Sequence, residues 1–123
     1  MTESAGIASH AEGEMTLASG EASHAEGINS QSVGRYSHAE GYSTVAVGEA
    51  SHAGGVDSLA LHKGEFAISS GKISTTGDSQ LMILIFTYSG SNPDFSKGVT
   101  MSGELKIMEE NCVLQISSKT NVP

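Results

Sequence analysis

The stretch Ser37-His38-Ala39-Glu40-Gly41-Tyr42-Ser43-Thr44-Val45-Ala46-Val47-Gly48-Glu49-Ala50 holds one full unit of the pattern from which the fold follows. Ser-His-Ala recurs at 9–11, 23–25, 37–39 and 51–53, a step of fourteen, with Glu-Gly after the first three copies. Glycine recurs at half that step, at 6, 13, 20, 27, 34, 41, 48 and 55. After Gly55 the next turn reads as two residues longer, with His62 and Lys63 inserted before Gly64. Self-similarity at a fixed period marks a repeat architecture. A period of seven also invokes a coiled coil, but coiled coils need apolar a and d positions, and an interior glycine costs a helix roughly 0.5–1 kcal/mol. The constant residue of each heptad here is glycine, so the helical reading fails. Thr44-Val45-Ala46-Val47 and Ser58-Leu59-Ala60-Leu61 alternate small with branched residues at period two, the signature of strands. Two short strands per fourteen residues make one coil of a β-solenoid. The hexapeptide helix has a different period, and the calcium-binding nonapeptide roll requires Asp in its turns.

The pleat assigns faces. A two-strand coil has room inside only for small side chains, which places Thr44, Ala46, Ser51 and Ala53 inward. Val33, Val45, Val47, Leu59 and Leu61 then point outward on one wall. His10, His24, His38 and His52, with Glu12, Glu26 and Glu40, form an outward polar ladder on the other. An apolar stripe repeated on every coil is rarely left wet by a soluble monomer. The reading is a homo-oligomer with the stripe at its interface.

Composition splits the 123 residues near Gly71. Residues 1–71 hold all five His, every Ala and eleven of the fifteen Gly, with a net charge of −7. Residues 72–123 have no Ala or His, a net charge of −1, and the apolar run Leu81-Met82-Ile83-Leu84-Ile85-Phe86. Two domains follow: a repeat shaft over 1–71 and a β module over 72–123. Gln80–Tyr88 reads as a central strand, apolar on both faces, and its Ile83 and Ile85 are assigned to the same oligomer interface. The loop after it, with Tyr88, Asn92, Asp94 and Phe95, is the candidate binding loop. A total of −8 argues against nucleic acid or an anionic membrane as partner. The lone Cys112 excludes an intrachain disulfide framework, and beside Val113 it reads as a buried thiol. With no apolar run of about 18 residues and no basic-then-apolar start, the chain is expected to be soluble and not Sec-exported.

The spelling Thr44-Val45-Ala46-Val47-Gly48 followed by Ser51-x-Ala53-x-Gly55 resembles the head repeat of trimeric autotransporter adhesins, a left-handed parallel β-roll that trimerises. Ser-His-Ala-Glu-Gly at 9–13, 23–27 and 37–41 resembles bacteriophage tail-fibre and head-fibre proteins, whose repeats lead into a β module opening on a Gly-Asp-Ala-Gln-like sequence. Gly77-Asp78-Ser79-Gln80 stands at the matching place. The resemblance implies an all-β homotrimer: a left-handed roll of fourteen-residue coils followed by a small β-sandwich-like module. It implies a fibre on the virion exterior, with itself, other virion proteins, and a host-surface glycan or protein as partners. A fragment of a bacterial surface adhesin and a glycan-cleaving tailspike domain remain as alternatives.

No catalytic constellation emerges. A triad needs different groups converging on one point, and repeats set identical groups in parallel. These glycines lack the Lys of a phosphate loop, and Glu109-Glu110 are neighbours in a turn-like stretch. The His/Glu column has ligand chemistry, but a flat column presents its ligands in a row; the expectation is a hydrogen-bonded polar wall, with no metal and no cofactor. The chain is read as a structural protein, not an enzyme.

Overall fold

The structure is a computed structural model that describes residues 1–85. In chain order the first strands are β1 (Glu3–Ser4), β2 (His10–Ala11), β3 (Leu17–Ala18), β4 (His24–Ile28), β5 (Gln31–Ser32) and β6 (His38–Tyr42). The others are β7 (Val45–Ala46), β8 (His52–Val56), β9 (Leu59–Ala60), β10 (Phe66–Ser70) and β11 (Leu81–Ile83). No helix occurs among the described residues. The odd-numbered strands β1-β3-β5-β7-β9 form one sheet, and β2-β4-β6-β8-β10 form the other, with β11 added at its end. All pairs are parallel except β10 with β11, and each strand lies in register with the residue fourteen later: His24 on His38, Ala25 on Ala39, Val45 on Leu59. The result is an all-β solenoid of about five coils. The compact unit runs Met1–Ile83, past the composition break at Gly71, and a second unit begins at Leu84.

The interior is as small as the alternation requires. Ala18, Ala25, Ala39, Ala46, Ala53, Ala60 and Ala67 are fully buried, with Ser30, Ser32, Thr44 and Ser58 among them. No branched aliphatic or aromatic side chain of the described residues is buried. Hydrogen bonding therefore carries much of the cohesion. In each regular coil the Ser of Ser-His-Ala donates its Oγ back to the glycine three residues earlier: Ser23 to Gly20 at 2.7 Å, Ser37 to Gly34 at 2.6 Å, Ser51 to Gly48 at 2.7 Å. These bonds close the turns that carry the chain from one sheet to the other.

The turns bend at residues that the glycine period does not mark. Ala8, Met15, Ala22, Asn29, Tyr36, Ser43, Ala50 and Asp57 all sit at φ between 50° and 60°, each two residues after a repeat glycine. Their strain is offset along the stack, where Tyr36 N–H donates to Glu21 O and Ala50 N–H to Arg35 O, both at 2.8 Å.

Two expectations are corrected. The turn after Gly55 contains no insertion, because Phe66 pairs with His52 in the same fourteen-residue register. His62 occupies the glycine place and Glu65 the serine place. In regular coils, Val33 and Gly34 N–H both donate to Ala46 O, and Val47 and Gly48 N–H both donate to Ala60 O. Leu61 and His62 have no following coil, and both donate instead to Glu65 Oε2, at 2.9 and 2.7 Å. His62 Nδ1 adds a contact to the same oxygen at 2.7 Å. A buried carboxylate thus replaces a missing backbone carbonyl. Gln80 does the same for β9: its Oε1 accepts from Leu59 N–H at 2.8 Å and its Nε2 donates to Leu59 O at 2.9 Å. Asp78 accepts from the backbone N–H groups of Ile73, Ser74 and Thr75, which hold its carboxyl far below the usual carboxylate range. The Gly77-Asp78-Ser79-Gln80 motif is a capping device, of the kind that ends repeat stacks.

The second correction concerns the Gln80–Tyr88 strand. Its described part is only Leu81–Ile83, and it lies at the end of its sheet, not at the centre. Leu81 and Ile83 are exposed, and the antiparallel register sets them beside Ile68 and Phe66.

Replacing Glu65 by Ala is expected to lower stability by about 2–3 kcal/mol, since two part-buried backbone donors lose their acceptor at roughly 1–1.5 kcal/mol each. Glu65→Gln keeps an acceptor and should lose about 1 kcal/mol; thermal melts of the two variants against the parent chain make the comparison.

Candidate functional site

The two sheets present two different outer walls. On the sheet of odd-numbered strands, Val45 and Leu59 are half-buried, while Val33, Val47 and Leu61 are exposed. Leu17 precedes them in the same register and extends the stripe toward the N-terminal coil. Because each strand repeats after fourteen residues, Val45 stacks directly on Leu59, while the polar Gln31 stands between Leu17 and Val45 in the same column. The expected interface residues Val33, Val45, Val47, Leu59 and Leu61 therefore share one wall. Ile83 does not join them: its pairing with Phe66 sets it on the opposite sheet. With Phe66, Ile68 and Leu81 it makes a separate exposed apolar patch. Ile85 is exposed. Tyr88, Asn92, Asp94 and Phe95 lie outside the described residues.

On the other wall the imidazoles stack one per coil. Ring centroids are 5.0 Å apart from His10 to His24, 4.7 Å from His24 to His38, and 4.8 Å from His38 to His52. Parallel strands stand 4.7–4.9 Å apart, so the coil spacing sets these distances. Phe66 takes the histidine place on the next coil and stacks on His52 at 4.8 Å, closing the column. The carboxylates reach across coils: His38 Nε2 lies 3.2 Å from Glu26 Oε1, and His52 Nε2 lies 3.2 Å from Glu40 Oε1. A carboxylate oxygen accepts only, so each of those imidazoles donates from Nε2. At the N-terminal end the contacts loosen, with His10 and His24 Nε2 at 3.6 and 3.8 Å from Glu12. Gly54 stands where a fourth Glu would, and a Cβ there would meet Glu40 Oε1 at 3.3 Å and His52 Nε2 at 3.4 Å.

Sequence reasoning passed over a third stack. Ile28, Tyr42 and Val56 pair in register at the corner where the long strands end, and Ile28 and Tyr42 are exposed. The signal was present, since each stands directly after the glycine of the second half-repeat. Across the opposite turns run two ion pairs, Glu21 with Arg35 at 2.7 Å and Glu49 with Lys63 at 3.0 Å. The first raises the Arg35 pKa above its ordinary value, through the hydrogen bond and charge of Glu21.

A fourteen-residue coil with a small interior, glycines at the turns and an outward aliphatic band agrees with one known repeat. The coils match the YadA head domain repeat. The match comprises two copies, over residues 11–37 and 39–61. The second copy of this YadA head-type repeat stops at Leu61, one residue before His62 replaces the turn glycine. No curated protein and no solved structure gives a match to the chain.

Proposed function

We propose that this chain is a non-catalytic structural subunit of a homotrimeric attachment fibre, displayed on the exterior of a virion. The aliphatic band of Val33, Val45, Val47, Leu59 and Leu61 carries the reading. It repeats on successive coils with Val33, Val47 and Leu61 exposed, and association with further copies would bury it. Trimerisation is the mode of association of the adhesin heads whose repeat matches. Parallel pairing of every coil gives a stiff rod, and three-fold symmetry multiplies a weak binding surface. In this reading, recognition of host-surface glycan or protein, or of other virion proteins, belongs to the region beyond the roll, around Tyr88, Asn92, Asp94 and Phe95. The second reading is a bacterial surface adhesin head, favoured by the match to the YadA head domain repeat.

Light scattering on the purified chain should return three chain masses, unchanged by moderate dilution; a monomer at micromolar concentration would overturn the trimer and the fibre with it. Immunogold labelling then separates the two readings. Label on purified virions supports the fibre, and label confined to the bacterial surface supports the adhesin.

A further inference from the structure

We propose that the polar wall carries a binding site for a borderline transition-metal ion, Zn²⁺ by chemical class, formed by His24, Glu26 and His38. One ligand atom from each of these side chains lies within 4.8 Å of the others, and all three residues are half-buried. The column was expected to present its ligands in a row. Glu26 breaks that row by reaching to the next coil, so that its carboxylate stands 3.2 Å from His38 Nε2. Ligands about 2.1 Å from a tetrahedral zinc stand about 3.4 Å apart, so this pair already has the required separation, and a shift of the His38 proton from Nε2 to Nδ1 frees Nε2 as the ligand.

His24 supplies the second observation. Its Nε2 is buried and has no hydrogen-bond partner among the described residues. The nearest carboxylate oxygen, Glu12 Oε1, is 3.8 Å away, beyond hydrogen-bond reach. His38 and His52 each have a carboxylate at 3.2 Å from Nε2, which leaves His24 as the imidazole in the middle of the column whose Nε2 has no such partner. Its ring lies parallel to that of His38, 2° between planes, with centroids 4.7 Å apart. A modest rotation of the two rings about their side-chain torsions brings both toward one ion beside Glu26.

Two imidazoles and one carboxylate suit zinc, nickel, cobalt or copper; calcium and magnesium favour oxygen ligands throughout. Water completes the coordination on the open side. A second set, His10, Glu12 and His24, uses the same His24, so the two compete and each chain holds one ion. The inner set is preferred because its members are half-buried, whereas His10 and Glu12 are exposed. The site needs only one chain and is independent of the oligomeric reading.

The test is calorimetric titration of the full chain, stripped with chelator, with Zn²⁺ and separately with Ca²⁺. Saturable binding of one Zn²⁺ per chain and none of Ca²⁺ is expected. His24→Ala and Glu26→Gln should each weaken Zn²⁺ binding by at least about tenfold. His52→Ala, outside the set, should leave it unchanged, and circular dichroism confirms the fold of each variant. Absence of saturable Zn²⁺ binding overturns the proposal. So does binding of parental strength in either His24→Ala or Glu26→Gln, which would place the ion elsewhere.

Discussion

Gly41→Ala is expected to lower stability by about 3–5 kcal/mol, a large share of the 5–15 kcal/mol that holds a typical domain together. Gly41 sits at φ +106°, outside the range that residues with a Cβ adopt, and each such departure costs at least 1–2 kcal/mol. A Cβ there also collides with the carbonyl oxygen of Gly55 on the next coil, and stands 3.0 Å from that residue's carbonyl carbon. The obstacle is backbone, so no side chain can swing aside. Separating the two coils would strain the ladder between β6 and β8, which pairs His38 with His52 and Tyr42 with Val56. Gly64→Ala is the matched control: its φ is +67° and nothing lies within 4 Å of a built Cβ. That variant should lose only about 1–2 kcal/mol. Denaturant melts of the two variants decide the point; equal losses would mean that the coils do not approach as closely as described.

Val47→Asp should convert the proposed trimer to monomer. Val47 lies in the middle of the aliphatic band, between Val33 and Leu61, and is 40 % exposed in the single chain. Its alternation partner Ala46 is fully buried, so the backbone direction at Val47 is set and its side chain has no inward alternative. A carboxylate at that wall is solvated in the monomer. Buried against a second copy without a partner it costs several kcal/mol, roughly 3–5 by comparison with broken buried pairs. At three contacts per trimer that exceeds what micromolar association supplies. His52→Ala changes the opposite wall and should leave the assembly mass intact. Light scattering on both variants reads the result, and dissociation by His52→Ala alone would place the interface on the His/Glu wall.

The period of fourteen, the two strands per coil, the small interior and the separation of an aliphatic wall from a His/Glu wall were all legible in the residues. Each depends on local alternation or on simple recurrence. Thr44 and Ala46 must share a face because strands alternate, and His24 must stack near His38 because the chain returns to the same place after each coil. Sequence reading was weaker wherever the repeat symmetry ends. His62 and Lys63 looked like an insertion before Gly64, because glycine was taken as the marker of register. In the structure the register continues through His62, and Glu65 and Gln80 supply the acceptors that a further coil would have provided. Ile83 reads in the sequence as an interface residue because the apolar strand around it has too few partners to bury it. Antiparallel pairing with β10 sets it beside Phe66 on the other sheet, a choice that depends on how the chain turns between Gly71 and Gln80.

The glycines divide the same way. Their period is visible in the chain, but the reason for each is not: the left-handed bend falls two residues later, at Tyr36 or Ala50, while Gly34 and Gly48 are required by the close passage of the next coil. So it is with Glu26. Alternation places it on the face of His24, its neighbour along the strand, whereas its contact is His38, twelve residues on and one coil away. Alternation and recurrence are properties of a chain's own geometry and can be read from residue order. Which carboxylate meets which imidazole, and what closes the last coil, depend on side-chain reach across a 4.8 Å gap between strands, a distance that exists only once the coils have stacked.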